Sequence, residues 1–202
     1  MPTILLATRN TAKLAELRRV LAGALGPGVR VLGNDDVTPY PEPVESEATF
    51  TGNALLKARA GAAATGLLTV ADDSGLCVDA LGGMPGVLSA RWSGTAGGAA
   101  GRDAANLALV LAQLADVARR DAGFVCAAAA VAPDGREVSV VGTMRGSLTR
   151  EPRGSGGFGY DPVFLPHGEV RTTAEMAPAD KDAISHRGKA FRALTPLLAD
   201  LL

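Results

Sequence analysis

Leu67-Leu68-Thr69-Val70-Ala71 is a short apolar run that ends in two adjacent carboxylates, Asp72 and Asp73, followed by Ser74-Gly75-Leu76. An apolar run of this length next to turn-forming residues reads as a buried strand. Adjacent negative charges at its end are costly unless a cation or a hydrogen-bond network compensates them. Open α/β sheets bind ligands just past the carboxyl ends of their strands, so the acid pair demands a fold that turns this strand end toward a site. A hard cation held by oxygen ligands is the natural compensator, and Mg²⁺ usually arrives together with substrate phosphates. The same residues also fit an Asp72 helix cap or an ordinary Asp73-Ser74-Gly75 turn, and the segment alone leaves both readings open.

The flanking pattern points to the same fold class. Thr3–Ala7 reads as a strand and Thr8–Asn10 as a polar turn. Ala12–Leu25 reads as a helix with apolar Leu14, Leu17, Val20, Leu21 and Leu25, stopped by Gly26-Pro27-Gly28. Val29–Leu32 is a second strand, and Asn34–Glu47 is a loop carrying Pro39, Pro41 and Pro43 with Glu42, Glu45 and Glu47. Thr49–Thr65 is an Ala-rich helix closed by Gly66 that leads back into the Leu67 strand. Such alternation implies parallel pairing with helices on the sheet faces. Ser74–Gly101 reads as loop, including the small-residue run Gly94–Gly101, and Arg102–Arg119 as a helix. Phe124–Ala132, a Pro133-Asp134-Gly135 turn and Glu137–Gly142 form a β-hairpin, with a further strand over Gly146–Thr149. Val163–Leu165 is a short strand, and Ile184–Leu201 is a terminal helix in which Pro196 is expected to introduce a kink. The expected fold is α/β. A central mixed twisted sheet is flanked by helices, in a single domain over 1-202 whose two lobes leave a cleft for a ligand.

Composition narrows the function. Of 202 residues, 47% are hydrophobic and 20% charged, which supports a substantial core and excludes global disorder. A net charge of −1 argues against a broad nucleic-acid surface. An anionic ligand would therefore be met by local basic groups. Cys77 and Cys126 lie far apart among apolar neighbours, with neither metal-ligand spacing nor a disulfide framework. The N-terminal apolar stretch is too short for a signal core and no run is long enough to span a membrane. The expectation is a cytoplasmic protein with no membrane and no nucleic-acid partner.

Three further segments carry chemistry. Thr8-Arg9-Asn10-Thr11-Ala12-Lys13 opens the first helix, where Thr8, Asn10 and Thr11 are all capable caps and exposed backbone N–H groups attract anions. Lys13 opposes the helix dipole there, a mild penalty that a bound phosphate would reverse. The glycines of a P-loop are missing, and a plain capped helix with a solvated lysine fits equally. Gly154-Ser155-Gly156-Gly157-Phe158-Gly159-Tyr160-Asp161-Pro162 formally contains G-x-G-x-x-G, but no strand precedes it and no helix follows, so a dinucleotide site is rejected. Glycines interleaved with Phe158 and Tyr160 instead suit a loop that approaches a flat ligand, with Phe158 stacking and Asp161 hydrogen-bonding nearby; a connector whose aromatics fill the core is the alternative. Ser185-His186-Arg187, near Lys181, offers donors in succession at the terminal helix, or simply a solvated basic helix start. Nothing ties His167 or His186 to a nucleophile.

In this order and spacing the segments resemble the noncanonical purine nucleoside triphosphate pyrophosphatases, the inosine/xanthosine triphosphate pyrophosphatase (HAM1-like) group. The matching stretches are Leu6 through Lys13, Thr49-Phe50 with Asn53-Ala54 and Lys57-Ala58, and Ala71 through Leu76. They continue with Gly82-Gly83 through Pro85-Gly86 to Ser89-Ala90-Arg91, Gly156 through Pro162, and Ile184 through Gly188. The resemblance spans nearly the whole chain. It implies an elongated α/β fold with two lobes around a deep cleft, usually assembled as a homodimer. Thr8 through Lys13 (Thr8, Arg9, Asn10, Thr11, Lys13) match the triphosphate-binding turn. Asp73 matches the proton acceptor and metal ligand, and Ser74 a substrate contact. Glu45 falls where the family places another Mg²⁺ ligand, with Glu42 and Glu47 as close competitors. Phe158, Gly159, Tyr160, Asp161, Lys181, His186 and Arg187 match the nucleobase pocket. Two departures are Gly52, where many relatives carry an acid, and Arg9, where glycine is common.

The implied reaction is Mg²⁺-dependent hydrolysis of a nucleoside triphosphate such as ITP, dITP or XTP to the monophosphate and pyrophosphate. Asp73 or its neighbour Asp72 would orient and deprotonate water. Two other readings remain: a non-catalytic nucleotide sensor, against which Asp72-Asp73 and Glu45 together argue, and a Maf-like pyrophosphatase for modified pyrimidine nucleotides, against which Ser185-His186-Arg187 argues.

Overall fold

A computed structural model describes residues 2–9, 13–15, 17, 18, 21, 28–94 and 99–202. Its strands are β1 (Thr3–Leu6), β2 (Arg30–Gly33), β3 (Leu68–Val78), β4 (Asp121–Val131), β5 (Glu137–Leu148) and β6 (Phe164–Pro166). They form one six-stranded sheet in the order β2-β1-β3-β4-β5-β6. β1 pairs parallel with β2 and β3, whereas β5 pairs antiparallel with β6, so the sheet is mixed as expected. The labelled helices are α1 (Phe50–Thr65), α2 (Ala99–Gln113), α3 (Pro178–Ile184) and α4 (His186–Leu198). Of the helix expected over 12–25, residues 13–15, 17, 18 and 21 are helical, and its other positions lie outside the described residues.

The chain divides into two compact units, each with its own core. The first holds residues 1–73, 126–142 and 186–202, and the second 74–125 and 143–185. In the first unit Leu17, Leu21, Leu68, Val70, Cys126, Ala128, Phe191 and Leu194 pack together. In the second, Leu76, Val78, Leu107, Val110, Phe124, Tyr160 and Phe164 do so. These runs are long enough to bury a stripe from every element, which is the main source of stability in each unit.

The alternation of side chains along a strand decides where the acids point. Leu68 and Val70 share a core with Leu17, Leu21 and Phe191, on the side of the N-terminal helical segment and α4. Ala71 instead packs with Ala58 and Ala62 of α1, and Thr69 lies against Gly61 of the same helix. Continuing that register puts Asp72 on the α4 side and Asp73 on the α1 side. The helix α1 is set as the sequence implies: the Thr49 side chain accepts from the Gly52 N–H at 3.0 Å, and Gly66 closes the helix with a left-handed backbone at φ 67°.

Several boundaries differ from the sequence expectation. Asp72 and Asp73 do not end their strand, and Asp73-Ser74-Gly75 is not a turn: β3 runs on to Val78. Leu76 and Val78 are fully buried in the second core, and the Leu76 N–H donates to Ser89 Oγ at 2.9 Å. A Cβ on Gly75 would overlap Ser89 Oγ and the Gly86 carbonyl, so glycine is there to let that segment approach a continuing strand. The two strands expected over Glu137–Gly142 and Gly146–Thr149 are one strand, β5. Gly142 and Gly146 are not breaks; they admit the backbones of α4 and of β6, which a Cβ would strike. Helix α2 begins at Ala99 within the supposed small-residue loop and stops at Gln113, six residues before Arg119; residues 95–98 lie outside the described ones. The expected terminal helix is two helices, α3 and α4, parted at Ser185, whose φ −63° and ψ 151° are extended. Cys126 is buried and Cys77 half-buried, both as free thiols.

Candidate active site

The first unit gathers acids and cations from four separate segments around the middle of β3. Asp72, with a side chain 1% exposed, accepts from Lys13 Nζ at 3.1 Å and from Arg187 Nε at 3.4 Å. Cys126 Sγ lies 3.9 Å from the same oxygen. Arg187 reaches this position because α4 starts directly against β5 where Gly142 leaves room. On the opposite face, α1 presents Asn53 and Lys57 one turn apart. Asn53 Nδ2 donates to Asp73 Oδ2 at 3.0 Å, and Asn53 Oδ1 accepts from the Glu47 N–H at 3.0 Å. Lys57 Nζ donates to Glu45 Oε1 at 2.6 Å and lies 3.9 Å from Asp73 Oδ1. Glu45 and Asp73 thus meet at one ammonium group.

The two neighbouring aspartates differ electrostatically. Burial alone would push the Asp72 carboxyl up, but Lys13, Arg187 and Lys57 together hold it well below the usual carboxylate range. Asp72 is a fixed anion. Asp73 has no such cluster: burial raises its carboxyl above the ordinary value, and Glu45 adds to this, against the opposing pull of Lys57 and the Asn53 hydrogen bond. Burial works to lower the Lys57 ammonium, yet Asp72, Glu45 and Asp73 outweigh it and the group is raised, so Lys57 stays charged. Two carboxylates from different segments converge on one positive centre, a number Mg²⁺ can take from protein, and among the described residues no cluster of three or more acids, histidines or cysteines suited to a metal is formed.

Among the other expected residues, Arg9 lines a cavity together with Lys57, Tyr40 and Glu42. Its guanidinium pairs with Glu42 at 3.3 Å and donates to the Tyr40 carbonyl at 3.1 Å. This places Glu42 against Arg9, while Glu45 faces Asp73. Thr8 is half-buried in the turn after β1, and Asn10 and Thr11 lie outside the described residues.

In the second unit the glycine-rich loop is built around Asp161. This carboxylate accepts from the Phe158 N–H at 2.9 Å, Thr173 Oγ1 at 2.8 Å and Lys181 Nζ at 2.5 Å. Lys181 Nζ also sits 5.4 Å from the Phe158 ring centroid. The Gly159 N–H donates to Asp103 Oδ2 of α2 at 2.9 Å, and Tyr160 Oη donates to the Ser89 carbonyl at 2.9 Å. Gly157 and Gly159 take φ of 72° and 61°, and a Cβ on Gly157 would overlap Asp161. Phe158 is therefore displayed by a loop whose backbone is fastened on both sides. Lys181, Asp161 and Phe158 belong to this cluster in the second unit, whereas His186 and Arg187, both buried, belong to the first.

Sequence reasoning gave no site role to Asn53, Lys57, Cys126 or Asp103, although Asn53 and Lys57 fall in a stretch that carries the family resemblance. For Asn53 and Lys57 a signal existed: polar residues at i and i+4 on an otherwise Ala-rich, core-facing helix. Asp103 carried none, since it falls three residues before Asn106 on a helix whose polar face reads as solvated.

A mixed α/β sheet carries buried acids and counter-cations at its centre, and similarity to known proteins gives the class. A family model described as the Ham1 family matches residues 4–197. The chain belongs to the Ham1 family. It is 60% identical to the dITP/XTP pyrophosphatase of Nocardia farcinica, over 100% of this chain and 97% of the relative. The crystal structure of the nucleoside-triphosphatase / dITP/XTP pyrophosphatase from Mycobacterium abscessus matches with a TM-score of 0.77 at 56% identity, covering 96% of this chain and 99% of that one. A HAM1 protein from Coxiella burnetii superposes with a TM-score of 0.87 at 38% identity over 99% and 100% of the two chains. Among the described residues no helix is long and apolar enough to cross a membrane.

Proposed function

We propose that this protein hydrolyses noncanonical purine nucleoside triphosphates, dITP and XTP among them, to the monophosphate and pyrophosphate. The observation that carries the reading is the convergence of Glu45 and Asp73 on Lys57, together with the family and the close relatives named for this activity. Glu45 and Asp73 are the residues that would hold Mg²⁺, which when bound supplies charge neutralisation for the polyphosphate. Asp73 is the general base: it takes the proton from the attacking water as the water oxygen bonds to phosphorus and the bond to the pyrophosphate leaving group breaks. Asp72 is unsuited to that task because its cations keep it a weak base. Its part is to hold Lys13 and Arg187 in place. Lys57 and Lys13 provide positive charge for the phosphates, and Thr8 to Thr11 their backbone donors.

The residues assigned to the nucleobase are Phe158 and Lys181 in the second unit and, separately, His186 and Arg187 in the first. A purine with a keto oxygen offers an acceptor where adenine offers an amino donor, so side-chain donors pair with the former and leave the latter facing like groups. The protein acts as a cytoplasmic homodimer.

The test is pyrophosphate release from a nucleotide panel with and without Mg²⁺. Turnover should require the ion, yield equimolar monophosphate and pyrophosphate, and favour dITP and XTP over dATP by roughly 10²-fold to 10⁵-fold. Release of orthophosphate alone, or equal rates on all purines, would refute it. Light scattering in solution tests the dimer.

A further inference from the structure

We propose that Asn53 is the positioning residue of the acid centre. It fixes the spacing between the Glu45 segment and Asp73, so that both carboxylates stay aimed at one point when a divalent ion takes the charge that Lys57 now balances. The inference rests on the reading of Glu45 and Asp73 as the metal-holding pair.

Two side chains of α1 connect the same two partners. Lys57 joins Glu45 to Asp73 through its ammonium. Asn53, one turn earlier on the same face, joins the Glu47 N–H to the Asp73 carboxylate through the two ends of its amide. They differ in charge. An incoming cation repels Lys57 and competes for its carboxylates, so the Lys57 link is weakened when the centre is loaded. The Asn53 link is neutral. Its oxygen bonds a backbone N–H that no metal can replace, and its nitrogen donates to Asp73 Oδ2, whereas Lys57 faces Oδ1. Asn53 thus holds one Asp73 oxygen by a neutral bond, and the other is the one toward the Lys57 ammonium. This is the geometry by which an outer residue orients a ligating carboxylate.

Burial supports the assignment. Asn53 is 0% exposed, in an Ala-rich helix packed on the sheet. A buried amide is costly unless its hydrogen bonds are made, and here each end has a partner. Glycine at 52 fits the arrangement: a Cβ there would lie 2.7 Å from Glu47 Cβ and 2.9 Å from Glu47 Cγ. The Glu45–Glu47 segment therefore lies flat on the first turn of α1, where Asn53 can reach its backbone.

The experiment measures Mn²⁺ binding to the nucleotide-free protein, by the loss of the free-ion electron paramagnetic resonance signal, for the wild type, Asn53→Ala and Asn53→Ser. Thermal melting confirms that each variant folds, and nucleotide kinetics are run at saturating metal. Loss of an outer residue that orients a ligand weakens metal affinity by about 10- to 100-fold. Both variants should show that loss in Mn²⁺ affinity while KM for the nucleotide at saturating metal stays near the wild-type value. A folded variant with wild-type Mn²⁺ affinity overturns the proposal and leaves the metal assignment intact. Where the free protein binds too weakly, the same comparison is made with a non-hydrolysable triphosphate analogue present; a wild type that holds no Mn²⁺ beyond the analogue's own in either state overturns the metal assignment itself. If neither variant folds, Asn53 is a folding residue and the proposal is overturned.

Discussion

Replacing Asp72 by Asn tests whether the centre is organised around a fixed anion. In the native state this carboxylate is almost completely enclosed and faces Lys13 and Arg187, the latter with a side chain only 3% exposed. Asn fills the same space but removes the charge, leaving Arg187 buried without its anion. Removing one partner of a buried ion pair costs about 3–5 kcal/mol. At about 2–4 °C per kcal/mol for a chain of this size, the melting temperature should fall by roughly 6–20 °C. The pH dependence gives a sharper signature. Because the folded carboxyl is held below its unfolded value, its contribution is fully present above the unfolded value of about 3.9 and is lost as pH falls through the folded one. The difference in unfolding free energy between wild type and Asp72→Asn, measured by urea titration, should be largest near neutrality and shrink below about pH 4. A difference under about 1 kcal/mol at pH 7 would place the pair in the range of surface ion pairs. Either that result, or a gap that does not narrow in acid, would refute the fixed-anion argument.

Other substitutions separate the roles further. Asp73→Asn should lower kcat by at least about 10²-fold with the melting temperature little changed; a near-normal rate in the mutant would remove Asp73 as the base. Arg187→Ala should erode the preference for inosine over adenosine triphosphates, read as the ratio of kcat/KM values; an equal loss on both would leave Arg187 as a structural partner of Asp72 alone. Asp103→Ala removes the acceptor of the Gly159 N–H and should raise KM for the nucleotide several-fold without a matching fall in kcat. Asp103→Asn, which keeps an acceptor, should restore it, and equal behaviour of the two variants would argue against a loop-fastening role.

Much of this molecule was legible in its sequence because the signals are local. The apolar runs of β1 and β3, the Thr49 cap and Gly66 stop of α1, and the Pro133-Asp134-Gly135 turn between β4 and β5 each depend on neighbours within a few positions. The ordered motifs, from Thr8 through Lys13 to Ser185-His186-Arg187, carried the family. What misled were glycines and acids whose meaning is set at long range. Gly75 read as part of a turn, and Gly142 and Gly146 as the ends of two separate strands, because glycine disfavours strand interiors locally. They sit inside strands because Ser89, α4 and β6 come too close for a Cβ. Ser185 carried no proline or glycine to announce the break between α3 and α4.

The sequence by itself determined which residues are chemically able to act and the strand–helix alternation, but it read Asp72 and Asp73 as the end of a strand; that β3 continues through them and sends them to opposite faces was decided by the fold. Only the tertiary structure decided what each acid meets there. Asp72 becomes a permanent anion because Lys13 and Arg187, 59 and 115 positions away, fold onto it. Asp73 keeps a raised carboxyl because burial and the nearby Glu45 outweigh the Asn53 amide and the shared Lys57 ammonium that α1 offers it. Identity is a property of single residues, whereas basicity depends on the fields of groups that only folding brings within a few ångströms.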